Sequence, residues 1–362
     1  MIRPIISNHE YLNESHVPPY VIGRDKEIVQ IKQCITPVAR RLKPIHIWIC
    51  GPSGSGKTAV TRHTLKLAER EYGIRHIYIN CWENTTLHSI MEKIVSELKI
   101  LGAEKISTVF KLERFTKFIE GKPFILVLDE IDQIMPKDRN LILYNLCDFS
   151  RMGLICISVE QKCMYSLDER VRSRLNPRII EFKTYPHETL KQILHQRAES
   201  SFAMNTWETP LIEKICSMAN GNARFGLSIL RNAAIVAEND KSPVIKHSHF
   251  EKGWADTNEQ KLAALLDNLT THHQLLYSII KGRGNIMSGD LWNEYLSTCK
   301  SRKMNPMASR TFSLYIKQLL RKNLIRWERA CTRGNVMIFK FAGNSRAQQN
   351  NINLSGDNLG NA

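Results

Sequence analysis

The apolar positions of the chain change period several times. Residues 1–20 carry no sustained pattern and form a polar, Pro-bearing lead-in ending in Val17-Pro18-Pro19-Tyr20. From 21 to 185, apolar runs of strand length alternate with stretches of helical spacing, the order expected of parallel βαβ units. IHIWIC (45–50) predicts a strand that runs into a Gly-rich turn and then a helical stretch, Thr58–Tyr72. HIYINC (76–81) predicts a second strand. Leu87, Ile90, Met91, Ile94, Val95 and Leu98 then repeat at the spacing of one helix face. FILVLDE (124–130), LICIS (154–158) and RIIEF (178–182) predict three more strands.

Between 186 and 256 strand runs give way to helical periodicity. Leu190, Ile193 and Leu194 make one face; Leu211, Ile212, Ile215, Cys216 and Ala219 a second, stopped by Asn220-Gly221; Leu227, Leu230, Ala233, Ala234 and Ala237 a third. A small all-helical domain is predicted there. Residues 257–342 read as a further domain, with helices near 270–281, 290–302 and 308–322. A hairpin follows: LIRWE (324–328), a turn holding Thr332-Arg333-Gly334-Asn335, and VMIFKF (336–341). Three helices and a two-stranded wing is the order of a winged helix-turn-helix. The tail, 343–362, has six Asn, three Gly and almost no large apolar residues, which predicts disorder.

Composition narrows the class. With 43% hydrophobic and 24% charged residues, the chain has the make-up of a globular protein and not of a collagen, a coiled coil or a chain disordered throughout. The net charge of +16 predicts a polyanionic partner. Nucleic acid is favoured over a membrane, because the longest apolar runs are far too short to span a bilayer. MIRPIISNHE has no apolar stretch of the kind a signal peptide needs, so a cytoplasmic, nucleoid-associated protein is expected. The nine cysteines are odd in number and include no CxxC pair, which reads as small buried hydrophobes in a reducing compartment.

The strongest chemical signal is Gly51-Pro52-Ser53-Gly54-Ser55-Gly56-Lys57-Thr58, a full G-x-x-x-x-G-K-[ST] between strand and helix. Its glycines let backbone N–H groups curl around phosphate at a helix N-terminus. Lys57 would reach the β- and γ-phosphates of ATP or GTP, and Thr58 would ligate Mg²⁺; the Asp129-Glu130 pair and the lack of a guanine-reading N-K-x-D favour ATP, with ADP as the product. Asp129-Glu130, ending a buried strand, is a Walker B pair: Asp129 for Mg²⁺, Glu130 to polarise the attacking water. Arg170, Arg172 and Arg174, and Arg224 in Gly221-Asn222-Ala223-Arg224, are candidates to stabilise charge on transferred phosphate.

Taken in order, these motifs resemble the AAA+ ATPases, and among them the archaeal origin recognition complex subunit 1 / cell division control protein 6 family of replication initiators, over about residues 17–342. Val17-Pro18 with Ile22-Gly23-Arg24-Asp25 resembles the family's N-terminal box, which packs on adenine. SLDERVRSRL (166–175) resembles its arginine-finger segment, with Arg174 as the finger. GNARFGLSILRNA (221–233) resembles sensor 2, where Arg224 contacts the γ-phosphate. SGDLWNEYL (288–296) and ASRTFSLYIKQLLRKNLI (308–325) resemble its winged helix.

The resemblance implies an α/β fold: an AAA+ P-loop parallel sheet (21–185), a helical lid (186–256) and a C-terminal winged helix-turn-helix (257–342). It further implies origin DNA, the replicative helicase and other initiator subunits as partners, with the protein monomeric or assembled on DNA.

One position departs from the pattern. The family ends its fourth strand Ile-Ser-Asn-Asp, with Asn as sensor 1; here Val159 follows Ser158. Without that donor, hydrolysis is expected to be slow unless Ser158 or a neighbour substitutes, and nucleotide to act as a switch.

From Lys300 to Arg346 there are twelve basic residues and one acid, so +11 of the chain's +16 lies in that segment. Ser309, Arg310, Ser313 and Lys317 fall opposite the apolar side of the 308–322 helix, and Arg329 and Arg333 lie at or near the wing tip. Ser309, Arg310, Lys317, Arg329 and Arg333 are therefore the candidate DNA contacts. The resemblance adds a possible second DNA contact at 84–104, with Lys93, Lys99 and Lys105 nearby. Two other functions fit the motifs: a helper ATPase of transposition or clamp-loader type, and a regulatory NTPase switch with a winged-helix module.

Overall fold

The computed structural model describes residues 4–100, 106–147, 149, 152–267, 269–322, 324–329 and 337–341. It comprises two compact units, Met1–Thr257 and Asn258–Ala362. Arg333, Lys105 and the tail 343–362 lie outside the described residues.

The first unit opens with α1 (Asp25–Ala39), β1 (Ile47–Cys50), α2 (Lys57–Tyr72), β2 (Arg75–Asn80), α3 (Leu87–Glu97) and α4 (Thr108–Ile119). It continues with β3 (Phe124–Asp129), α5 (Pro136–Leu146), β4 (Met152–Ser158), α6 (Lys162–Tyr165), α7 (Glu169–Leu175) and β5 (Arg178–Glu181). The strands make one parallel sheet in the order β2-β3-β4-β1-β5. Each of the five expected strands is present.

Strand alternation divides the core into two layers. Ile47, Ile49, Val127, Ile155 and Ile157 pack with Ile31 and Ile35 of α1 and Val60 and Leu65 of α2. Trp48, Leu126, Leu128, Leu154 and Cys156 pack with Ile90 and Ile94 of α3, Phe115 of α4 and Leu143 of α5. Because both faces are covered, β1, β3 and β4 are buried along their whole length. All eight described cysteines are buried.

Four helices follow: α8 (His187–Ser201), α9 (Thr209–Ala219), α10 (Ala223–Asn239) and α11 (His247–Asp267). Leu190, Leu194, Ile212, Ile215, Leu230 and Phe250 form their shared core. The segment that showed no pattern in the sequence is built into it. Ile5, Ile6 and Leu12 are buried among the same helices. Ile6 bridges Phe202, and Ser7 N donates to Ser201 O at 2.8 Å. Buried Arg197 donates to the carbonyls of Tyr11 and His16, both at 3.1 Å.

The second unit has α12 (Thr271–Arg283), β6 (Asn285–Met287), α13 (Ser288–Ser301), α14 (Ser309–Arg321), β7 (Ile325–Arg329) and β8 (Met337–Phe341). The wing expected to be two-stranded is three-stranded, β6-β8-β7 and antiparallel, with Ile286 opposite Phe339. On α14, Phe312, Ile316 and Leu319 are buried while Ser309, Arg310, Ser313 and Lys317 are exposed, as the spacing predicts. Among the described residues, no helix is long and apolar enough to cross a membrane.

Candidate nucleotide site

The glycine-rich loop joins β1 to α2 at the carboxyl edge of the sheet. Its glycines sit where a side chain has no room. Gly54 has φ +77°, and a Cβ there would lie 1.9 Å from Asn222 Oδ1; Gly56 has φ +92°, with Tyr185 OH 2.2 Å from where its Cβ would be. Both positions need the left-handed conformation that glycine adopts without strain. Gly51 N donates to Val159 O at 3.1 Å, tying the loop to the end of β4.

Lys57 Nζ donates to the loop carbonyls Gly51 O (2.6 Å) and Pro52 O (3.0 Å). Burial pulls its ammonium below the usual lysine value, and the Asp129 carboxylate opposes that shift. Thr58 Oγ1 donates to Asp129 Oδ2 at 2.8 Å. The same oxygen accepts the Tyr78 hydroxyl, whose titration is pushed up by burial and then by Asp129. Asp129 Oδ1 accepts Glu130 N at 2.9 Å. Glu130 holds φ +57°, an unusual value for a residue with a side chain. Burial first, then Asp129, raises its carboxyl above the ordinary range.

The lid reaches the loop directly. Ala223 N donates to Gly54 O at 3.1 Å, and Asn222 Oδ1 caps α10 by accepting Phe225 N at 3.0 Å. These contacts put Arg224 at the loop: its Nη1 is 3.5 Å from Ser53 Oγ and its Nε 3.1 Å from Glu14 Oε2. Arg24 ties the N-terminal box to the loop. It is buried, donates to Ser55 O at 2.9 Å and lies 4.2 Å over the Tyr185 ring.

One cavity collects most of the candidates. Ser53, Gly54, Gly56, Lys57, Thr58, Asp129, Glu130 and Arg224 line its polar end, and Pro18, Val21, Ile22, Ile193 and Leu227 its apolar walls. Gly51, Pro52 and Ser55 form the loop behind it. Val17 is half-buried and does not line it. Arg174 is elsewhere, its guanidinium 4.4 Å over the Tyr144 ring. Val159 lines the cavity at the sensor position, 42% exposed. Ser158 is already engaged: its hydroxyl accepts Trp48 Nε1 at 2.9 Å and donates to Glu160 O at 2.9 Å. Ser309, Arg310 and Lys317 lie on α14 of the second unit, and Arg329 ends β7 opposite Met337.

The pattern had not singled out Tyr78, Glu14 or Tyr185. Tyr78 lies within the strand expected at 76–81, and Glu14 within the polar lead-in. Only the register of β2 on β3, which pairs Tyr78 with Val127 and Asn80 with Asp129, brings the tyrosine to the carboxylate.

A parallel sheet carrying this loop, with a helical lid whose arginine meets it, defines an AAA+ ATPase. Residues 20–157 match the AAA ATPase domain family and residues 191–254 the Cdc6 AAA+ ATPase-type lid domain. ORC1-type DNA replication protein 1 of Sulfurisphaera tokodaii is 30% identical over 337 residues, covering 87% of this chain and 84% of the relative. ORC1-type DNA replication protein 15 of Haloarcula marismortui is 28% identical over 367 residues, covering 93% and 90%. The chain belongs to the ORC1-type DNA replication proteins. Its fold matches that of the Aeropyrum pernix ORC1 protein, solved in complex with DNA, with TM-score 0.79 at 22% identity over 94% of this chain and 95% of that one. Cdc6p of Pyrobaculum aerophilum matches with TM-score 0.63 at 19% identity over 93% and 94%.

Proposed function

We propose that the chain is a nucleotide-switched initiator that binds origin duplex DNA and helps recruit the replicative helicase. ATP or ADP occupies the cavity between sheet and lid. The observation that carries this reading is the direct bond from the lid to the phosphate loop, Ala223 N to Gly54 O, with Arg224 beside Ser53. Bound phosphate would touch both sides of that joint, so the nucleotide state would change how the lid sits.

Lys57 and the loop N–H groups bind the β- and γ-phosphates, and Arg224 contacts the γ-phosphate. The hard oxygens of Thr58 and Asp129, 2.8 Å apart, suit Mg²⁺, which takes few protein ligands and completes its shell with phosphate and water. Bound there, Mg²⁺ would neutralise developing phosphate charge. Glu130 accepts the proton of the attacking water. Arg174, outside this cavity, serves a neighbouring subunit in a DNA-assembled oligomer. Hydrolysis is slow, because Val159 offers no donor and the Ser158 hydroxyl is committed to Trp48 and Glu160.

DNA binds to the second unit through Ser309, Arg310 and Lys317 of α14, with Arg329 and Arg333 of the wing on backbone. The protein is cytoplasmic and nucleoid-associated. Titrating a labelled duplex with the full chain at several salt concentrations tests this. About six phosphate contacts give a slope of log K against log[salt] near −5. The double variant R310E/K317E should weaken binding and flatten the slope; unchanged affinity and slope would remove α14 from the DNA interface.

A further inference from the structure

Arg24 sits where α1, the phosphate loop and the crossing from β5 to the lid meet. It is the N-cap of α1 and only 5% exposed. Its Nη1 donates to Glu27 Oε1 at 2.8 Å. Its Nη2 donates to Ser55 O of the loop at 2.9 Å and to Lys183 O of the crossing. The rings of Tyr185 and Phe182, on the same crossing, lie with centroids 4.2 and 5.2 Å from its Cζ. The crossing in turn holds both neighbours: Phe182 N donates to Cys50 O at 2.7 Å, and Tyr185 N to Gly221 O of the lid at 3.1 Å.

The bond to Ser55 fixes where the next N–H points. A trans peptide sets its C=O and its N–H on opposite sides, and no peptide bond among the described residues is cis. With Ser55 O on the guanidinium, the Gly56 N–H points away from Arg24. Gly56 lines the cavity and Arg24 does not, so that N–H faces the space where phosphate would lie. Gly56, at φ +92°, has the freedom to let this peptide turn over. The anchored carbonyl is what opposes the turn.

We propose that Arg24 is a positioning residue of the phosphate site: it holds the Ser55–Gly56 peptide with its N–H toward the cavity, and it makes that orientation depend on the crossing that carries the lid. The cation on the carbonyl also polarises the same peptide and strengthens the N–H as a donor. The inference rests on the nucleotide reading of the cavity. The part of the ligand it serves is the pyrophosphate shared by ADP and ATP, not the base or the ribose.

Calorimetric titration of the full chain with ADP tests this, at a temperature where circular dichroism shows the variants folded. Arg24→Lys keeps the charge but loses the planar fork that reaches two carbonyls and a carboxylate at once, and should weaken ADP by about tenfold. Arg24→Met keeps the length without charge or donors and should weaken it by about a hundredfold. Inorganic pyrophosphate, titrated as a competitor of ADP, has neither base nor ribose and should lose affinity by the same factors. A merely structural role would lower the Tm of both variants and leave the affinities of the folded protein unchanged; that result overturns the proposal and leaves nucleotide binding intact. A loss of ADP affinity that pyrophosphate does not share also overturns it. Should Arg24→Met fail to fold, Arg24→Lys decides alone, and ADP affinity within about twofold of the wild type overturns the proposal. A wild type that binds neither ligand overturns this inference and the nucleotide reading together.

Discussion

Arg224 Nε lies 3.1 Å from Glu14 Oε2, so the arginine of the lid is paired with an acid of the lead-in at the mouth of the cavity. Glu14 also accepts the Ser228 hydroxyl at 2.9 Å, which fixes it on α10. Both partners are partly exposed, and such pairs are worth about 0–1 kcal/mol. The terminal phosphate of ATP, with up to two negative charges over three acceptor oxygens, therefore outcompetes Glu14 for the guanidinium. Arg224→Ala should weaken ATP by about tenfold or more while changing ADP much less. Glu14→Gln should change ATP affinity by less than about fivefold. Parallel titrations with ATP and ADP check both.

Tyr78 shares Asp129 Oδ2 with Thr58, and it fixes the rotamer of the carboxylate assigned to Mg²⁺. Tyr78→Phe removes one buried hydrogen bond, for a loss of about 1 kcal/mol in stability. The Mg²⁺ concentration needed for half-maximal ATP binding should rise about tenfold, as when an outer partner of a metal ligand is removed. An unchanged Mg²⁺ dependence would reduce Tyr78 to a packing residue.

Glu130 has its carboxyl raised above the unfolded value by burial and by Asp129. A raised carboxyl means that ionisation opposes folding. The cost is absent below the unfolded value, near pH 4, grows as pH climbs through it and is complete above the folded value. Glu130→Gln should therefore raise Tm at neutral pH and lose that gain near pH 4. The same variant should abolish hydrolysis while retaining ATP. In the wild type, the acid limb of the rate profile should fall above the ordinary carboxylate value.

Gly54 is the tightest point of the joint between loop and lid. Gly54→Ala drives a methyl group into Asn222 Oδ1 at a positive φ. The strain is about 1–2 kcal/mol, and displacing the α10 cap adds about 1 kcal/mol. Thermal melts should show that loss, and nucleotide should no longer raise Tm, because the Ala223–Gly54 bond cannot form.

The part of this site that the sequence displays is the part built from contiguous residues. GPSGSGKT, LVLDEID and GNAR sit at strand ends and helix starts, where local pattern and chemistry coincide. The buried strands were legible because parallel strands covered on both faces are uninterrupted apolar runs. What stayed hidden depends on distant pairing. Ile5, Ile6 and Leu12 are too few and too widely spaced to announce a buried face until Phe202 and Ser201 meet them. β6 is three residues long and falls between the helices expected at 270–281 and 290–302, with no strand pattern of its own until β8 pairs with it. Arg24 falls in the box that the resemblance marks, but its burial against Tyr185 with the guanidinium on Ser55 O depends on residues distant in sequence.

The most direct test is recovery of sheared genomic DNA from the source organism by the purified full chain at about 0.15 M salt, near physiological ionic strength, with ATP or with ADP, beside R310E/K317E. One or a few recurring fragments, enriched differently under the two nucleotides and lost in the double variant, is the predicted result. Equal recovery of every fragment under both nucleotides would contradict an origin-reading initiator and leave a DNA-dependent helper ATPase.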